Sequence, residues 1–342
     1  MRNSMGNPLK LAVLIPCYNE EVTIKQVIED FKKSLPHADI YVYDNNSSDR
    51  TIEYAKAAGA IVRVETQQGK GHVVRRMFRD IQADFYIMVD GDDTYEASLA
   101  PSMVELAMSG PFDLVNCIRR ETEDASYRGG HRWGNLMLTG VVRKVFGSRV
   151  HDMLSGYKVF SRRFVKSFPT IAAGFDIETE LTVHALEISM PVAHIEGSYR
   201  GRPEGSVSKL RTYSDGWRIL MLILKLVRHE RPMFFFGAIT AALSALAIIM
   251  SIPLLFTYLE TGLVPRLPTA ILATGLMGMA ALSLTTGTIL DTVTRGRREL
   301  RLLTYLQYAT YDGNKSDGHE STSEKLGINE AVVSHSNTEY LR

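Results

Sequence analysis

Short apolar runs alternate with helical patterns through the first part of the chain. Leu11–Pro16, Ile40–Asp44, Ile61–Glu65, Phe85–Asp90 and Asp113–Ile118 have the length and composition of strands. Glu20–Ser34, Thr51–Ala58, Gly71–Ile81 and Leu99–Met108 carry helical periodicity between them, and Phe175–Ser189 is a further helix. This alternation predicts βαβ units, hence an α/β domain with a Rossmann-like, mainly parallel sheet. Ligands in such sheets sit beyond the carboxyl ends of the strands. The polar clusters Asn19-Glu20, Asp44-Asn45-Asn46-Ser47-Ser48-Asp49 and Asp90-Gly91-Asp92-Asp93 fall at three such ends, so they predict one shared site.

A second pattern follows. The 28 residues between Arg231 and Glu260 carry no charge, nor do the 24 between Arg266 and Asp291. Crossing the hydrocarbon core takes about 20 mainly apolar residues, so each run is long enough to span. The short loop between them makes a hairpin. Arg228 and Arg231 precede it, and Arg295, Arg297, Arg298 and Arg301 follow it. By the positive-inside rule both termini face the cytoplasm. Met1–Pro8 is short and polar, so no signal peptide is expected. Trp217–Val227, apolar with Arg218 and Lys225 interspersed, reads as an amphipathic helix at the lipid surface. The alternative is a core helix.

The expected organisation is a catalytic-type domain over 1–212 and an interfacial helix over 213–231. Spans over 232–259 and 267–291 follow, then a basic cytoplasmic helix over 295–311 and a disordered tail over 312–342. The basic helix is expected to pack on the soluble domain or on a neighbouring subunit, and a homo-oligomer is compatible with that.

Composition adds exclusions. With 39 Lys+Arg and 38 Asp+Glu the formal net charge is +1, which argues against nucleic-acid binding through bulk charge. Cys17 and Cys117 are the two cysteines, too few for a disulfide framework. No GxGxxG follows the first strand and no GxxxxGK[ST] occurs, so neither phosphate-binding fingerprint is present. The carboxylates of Asp90, Asp92 and Asp93 repel one another at a strand end. Hard oxygen ligands of this kind suit Mg²⁺ or Mn²⁺ sharing its shell with substrate phosphates. The bland alternative is a solvated acidic turn.

Together these motifs resemble the inverting glycosyltransferases of family 2, which have the GT-A fold. The resemblance is carried by Val13–Glu21, Asp44–Asp49, Asp90-Gly91-Asp92, Asp152–Tyr157 and Arg202–Leu210. With two C-terminal spans its layout looks like that of the polyprenyl-phosphate glycosyltransferases. The resemblance implies that Pro16, Tyr18, Glu20, Asp44, Asn45, Lys70, Asp90, Gly91 and Asp92 bind the nucleotide sugar. It makes Asp92 the metal ligand, with Asp90 close by. Relatives more often have Asp where Asn45 stands. Asp152 matches the position usually named the catalytic base, and Arg202 and Lys209 match a loop that closes over the diphosphate. Arg119, Arg128 and Arg132 fall where relatives bind the acceptor phosphate.

A phosphate acceptor with a second pKa of about 6 is largely a dianion at neutral pH and needs no base. Asp152 is therefore expected either as a base or as an orienting group for the acceptor, the sugar or an arginine. Glu178 and Glu180 are expected near the site. The implied reaction moves a sugar from a nucleotide sugar, a UDP-sugar by preference, to polyprenyl phosphate at the cytoplasmic leaflet of the lipid bilayer. Other readings are a glycosyltransferase acting on another acceptor, a processive polysaccharide synthase, which the missing QxxRW disfavours, and a non-catalytic membrane scaffold.

Overall fold

The computed structural model describes residues 9–121, 140, 152–153, 155–169, 177–201, 221, 224–225, 227–309 and 311. The chain forms two compact units, Met1–Leu210 with Arg301–Arg342, and Arg211–Leu300.

The first unit contains a seven-stranded sheet in the order β3-β2-β1-β4-β6-β5-β7. In chain order its elements are β1 (Leu11–Cys17), α1 (Ile24–Ser34), β2 (Ala38–Asp44), α2 (Thr51–Ala57), β3 (Ile61–Val64), α3 (Lys70–Asp80), β4 (Phe85–Met88), α4 (Ala100–Ser109), β5 (Leu114–Glu121), β6 (Lys158–Ser161), α5 (Arg162–Ser167), α6 (Ile177–Glu187) and β7 (Val192–Tyr199). All neighbours pair in parallel except β6, which runs antiparallel to both β4 and β5. The sheet is thus the mainly parallel, mixed sheet expected of the GT-A fold.

β1 lies between β2 and β4, which explains its unbroken apolar run, because a central parallel strand is covered on both faces. Val13, Ile15 and Cys17 join one core cluster with Ile24, Val27, Ile28 and Phe31 of α1 and Met103 and Val104 of α4. Ala12 and Leu14 face the opposite cluster, with Val73, Val74, Met77 and Phe78 of α3, Phe164 of α5 and Leu181 of α6. These helical residues recur at three- and four-residue spacing, which places them on one helix face.

α1 starts four residues later than its periodicity suggests. Glu20 N–H and Glu21 N–H donate instead to Thr51 Oγ1 and Asp49 Oδ2, at 2.9 and 3.1 Å, so residues 20–23 serve as a turn between two loops. β6 and β7 have no counterpart among the expected strands. β6 is four residues long and opens on a lysine, and β7 lies at the sheet edge with a mixed burial pattern.

The second unit holds α7 (Pro232–Thr261) and α8 (Leu267–Leu306) as far as Leu300, both helices being long and apolar enough to cross a membrane. They pack as a hairpin through small residues. Thr240 Oγ1 donates to Ala280 O at 3.3 Å and Ser283 Oγ to Phe236 O at 3.1 Å. A Cβ on Gly287 would lie 2.8 Å from that of Phe236, so glycine permits the close approach. Gly262, at φ 69°, ends α7 with its N–H on Tyr258 O.

The separate helix expected over 295–311 is not separate. α8 continues from Leu267 to Leu306 without a break. No proline interrupts it after Pro268, and Arg295 bridges to Asp291 one turn earlier at 2.8 Å. From Arg301 onward the chain belongs to the first unit. There Arg301 pairs with buried Glu187, and Tyr305 O–H donates to Asp113 Oδ2 at 2.7 Å. The rings of Tyr311 and Phe85 meet at 5.2 Å. Arg301, Tyr305 and Tyr311 thus pack within the first unit.

The greater part of the expected interfacial helix over 213–231 and the whole of the tail over 312–342 lie outside the described residues.

Candidate functional site

The strand order reverses direction at β1, with β2 on one side and β4 on the other. This is the switch point at which open α/β sheets bind ligands. The loops after β1, β2 and β4 meet there. Asn19, in the left-handed region at φ 52°, accepts from Ser48 N–H at 2.8 Å, while its own N–H donates to Ser47 Oγ at 2.8 Å. Glu21 Oε2 accepts from Arg50 N–H at 3.0 Å. Tyr18, at the tip of the first loop, is exposed.

Asp44 ends β2 almost completely buried. One carboxylate oxygen accepts from Ser47 N–H at 3.0 Å, and Oδ1 has no partner among the described residues. A buried acceptor without a donor is costly and calls for an explanation. Asn45, next to it, is fully engaged. Its Nδ2 donates to Glu65 O and Gln67 O at 3.0 and 2.8 Å, and its Oδ1 accepts from Gly69 N–H at 2.7 Å. Asn46, at φ 64°, adds a bond to Thr66 O at 2.9 Å. The two asparagines together carry the loop that leads into Lys70.

Lys70 begins α3 and is buried between two carboxylates. Its Nζ lies 2.5 Å from Asp90 Oδ1 and also pairs with Glu178 from the start of α6. Burial alone would lower the Lys70 pKa, but Asp90 and Glu178 outweigh it and hold the ammonium charged. Gly91 lies so close to β1 that a Cβ there would sit 2.8 Å from Cys17 Sγ, and its carbonyl accepts from Thr23 Oγ1 at 2.6 Å. Asp92 is buried, and its Oδ1 accepts from Thr94 Oγ1 at 2.6 Å.

On the far side of β4, Asp152 meets Arg119 of β5 in a two-pronged pair, Nε to Oδ2 at 2.8 Å and the terminal nitrogen to Oδ1 at 3.0 Å. Burial would raise the Asp152 pKa. Hydrogen bonds and charge from Arg119, with the charge of Lys158, reverse that and hold the carboxyl below its usual range. Arg119 also lies 5.4 Å from the Tyr199 ring centroid. The Asp152 segment is tied to the acidic loop by Tyr95, whose hydroxyl accepts from Gly156 N–H at 2.8 Å.

The structure thus brings Tyr18, Glu20, Asp44, Lys70, Asp90, Gly91 and Asp92 to neighbouring strand ends and pairs Arg119 with Asp152, while Pro16 lies within β1. Arg128, Arg132, Arg202 and Lys209 lie outside the described residues. Lys158 and Asn116, buried beside Asp152, are absent from the expected set. The one signal for them is a lysine and an asparagine inside otherwise apolar strands.

Hard carboxylate oxygens on Asp90 and Asp92 fit a divalent cation. No third His, Cys, Asp or Glu completes a cluster with them among the described residues.

Comparison with known proteins is consistent with this geometry. The description "Glycosyl transferase family 2" fits residues 12–168. Glycosyltransferase AglJ of Haloferax volcanii is 32% identical over 242 residues, 70% of this chain and 80% of the relative. A dolichyl-phosphate hexose transferase of Haloferax volcanii is 26% identical over 221 residues, 65% of this chain and 95% of that one. Among solved structures, glucosyl-3-phosphoglycerate synthase from Mycobacterium tuberculosis, in complex with Mn²⁺, UDP and phosphoglyceric acid, superposes with a TM-score of 0.54 at 23% identity. The match covers 64% of this chain and 78% of that one.

Proposed function

The chain belongs to glycosyl transferase family 2, and we propose that it transfers a sugar, with inversion, from a UDP-sugar to a polyprenyl phosphate. A phosphate oxygen of the acceptor attacks the anomeric carbon. The bond from that carbon to the diphosphate breaks, and UDP leaves. The observation that carries the reading is the meeting of Asp44 and Asp90-Gly91-Asp92 at the switch point of the sheet.

The unpartnered Asp44 Oδ1 supplies an acceptor for the imide N–H of a uracil, with Tyr18 placed to lie against the base. Asp90 and Asp92 would hold a divalent cation, Mg²⁺ or Mn²⁺, which would supply positive charge to the diphosphate. Arg202 and Lys209 add cations to the same leaving group. The solved neighbour named for its Mn²⁺ and UDP complex supports this donor class.

The relative named for dolichyl phosphate supports the acceptor, and so do the two apolar helices of the same chain. Arg119, Arg128 and Arg132 offer guanidinium forks for its phosphate. Asp152 orients Arg119 and removes no proton, because the acceptor is already a dianion. The catalytic unit and both termini lie on the cytoplasmic side, with the arginines that flank the spans.

The test is release of the nucleoside diphosphate by the purified full chain in detergent, with panels of UDP-sugars and GDP-sugars and Mg²⁺ or Mn²⁺. Release from one donor that rises strongly on adding undecaprenyl phosphate supports the reading. Release indifferent to the lipid refutes the acceptor, and release from GDP-sugars alone refutes the donor.

A further inference from the structure

Lys158 opens β6 with none of its surface exposed to solvent. In the sheet register it stands opposite Met88 of β4 and Asn116 of β5. Among the described residues its ammonium makes one side-chain hydrogen bond, to Asn116 Oδ1 at 2.5 Å. Leu114 and Phe160 lie two positions along the same face. A methionine would fill this position without desolvating a charge.

Lys158 therefore needs a reason, and its hydrogen-bond line supplies one. An ammonium only donates, so it fixes the Asn116 amide with its oxygen toward Lys158 and its nitrogen away. That nitrogen donates to the backbone carbonyl of Asp152 at 2.9 Å. The Asp152 side chain then closes on Arg119. We propose that Lys158 is a positioning residue for the transfer reaction, holding Asp152, and with it Arg119, in place through Asn116. The inference rests on the proposed function, since Arg119 acts there on the acceptor phosphate.

The charged and titratable groups around Lys158 agree with this role. Asp152 precedes β6, Glu178 stands on α6, and Arg119 and Cys117 stand on β5. Burial pushes the Lys158 ammonium down to about 8, against the attraction of Asp152 and Glu178. Deprotonation would leave the Asn116 amide without its cationic partner.

The test compares the full-length wild type with Lys158→Met, Lys158→Arg, Asn116→Ala and the Lys158→Met/Asn116→Ala double variant. The readouts are kcat, donor and acceptor KM, UDP affinity and a profile over pH 6–10. Misplacement of a catalytic group by about 1 Å can cost about 100-fold. Lys158→Met and Asn116→Ala are each expected to lower kcat by about tenfold to 100-fold, with UDP affinity unchanged. The double variant is expected to be no worse than the poorer single one, as for groups that act in series. The wild type is expected to lose kcat above about pH 8, and Lys158→Arg to remove that limb while restoring part of kcat.

Full kcat in Lys158→Met, or losses that add in the double variant, overturn the proposal. Should Lys158→Met lose UDP binding through misfolding, Asn116→Ala decides alone, and full kcat there overturns it. Wild-type transfer with unaltered variants refutes this inference only. Absence of wild-type transfer refutes the functional reading beneath it.

Discussion

Gly156 packs directly on the carboxylate of Asp90, and a Cβ at Gly156 would lie 2.1 Å from Asp90 Oδ2. The Ser155-Gly156 turn and the acidic loop after β4 are thus fitted to each other across the sheet. Replacing Gly156 with Ala must push Asp90 off Lys70. The expected outcome is a loss of transfer of about tenfold or more with the fold retained, since small displacements of catalytic groups carry costs of that order. Initial rates and UDP affinity of Gly156→Ala, measured side by side, check it.

Asn45 reads as a member of the donor site, yet its side chain holds the loop between β3 and α3. Asp at this position would face the carbonyls of Glu65 and Gln67 with acceptors only. Leaving buried groups unsatisfied costs about 1–3 kcal/mol, and these part-buried carbonyls cost less. Asn45→Asp is expected to lower the melting temperature and to raise donor KM through displacement of Lys70. Thermal unfolding with and without UDP measures both.

Arg119 holds the Asp152 carboxyl ionised. Its native pKa lies below that of the unfolded chain, so its stabilisation is complete above about pH 4 and fades as pH falls through the native value. The wild type should show no limb from Asp152 near neutral pH. Arg119→Met removes the main partner of a buried carboxylate, so the Asp152 pKa rises. A higher acceptor KM is expected with no acid limb in kcat, because Asp152 acts only through Arg119. A pH–rate profile of the two proteins reads this out.

His184 sits among Phe164, Phe168 and Ser167, away from the strand ends. Burial, aided by the charge of Arg301, pushes it down to about 3. The unfolded chain takes up a proton below about pH 6.5 and the native one does not. Stability is therefore expected to fall between pH 6.5 and 3, by up to about 1.4 kcal/mol per pH unit. Melting temperatures of His184→Gln should show a flatter acid slope than those of the wild type.

Much of the site is legible because a central parallel strand must be apolar on both faces and must end where polarity begins. Leu11–Pro16, Ile40–Asp44 and Phe85–Asp90 obey that rule, and their polar ends converge as expected. Other relationships leave no such trace. The Lys70–Glu178 pair joins residues 108 positions apart, and only folding brings them together. β6 is too short for a period, and its lysine argues against a core strand until its partner Asn116 is known. The arginines after Asp291 suggest a break, yet each turn of α8 accommodates them and the helix runs on.

The central claim is tested most directly by following label from radiolabelled UDP-sugars into the organic phase. Membranes containing wild-type protein are compared with an Asp92→Ala variant, with undecaprenyl phosphate and Mg²⁺ or Mn²⁺ present. The account predicts lipid-linked label from one donor, lost in the variant and after chelation. Folded, inserted wild-type protein that labels no lipid from any donor would contradict it.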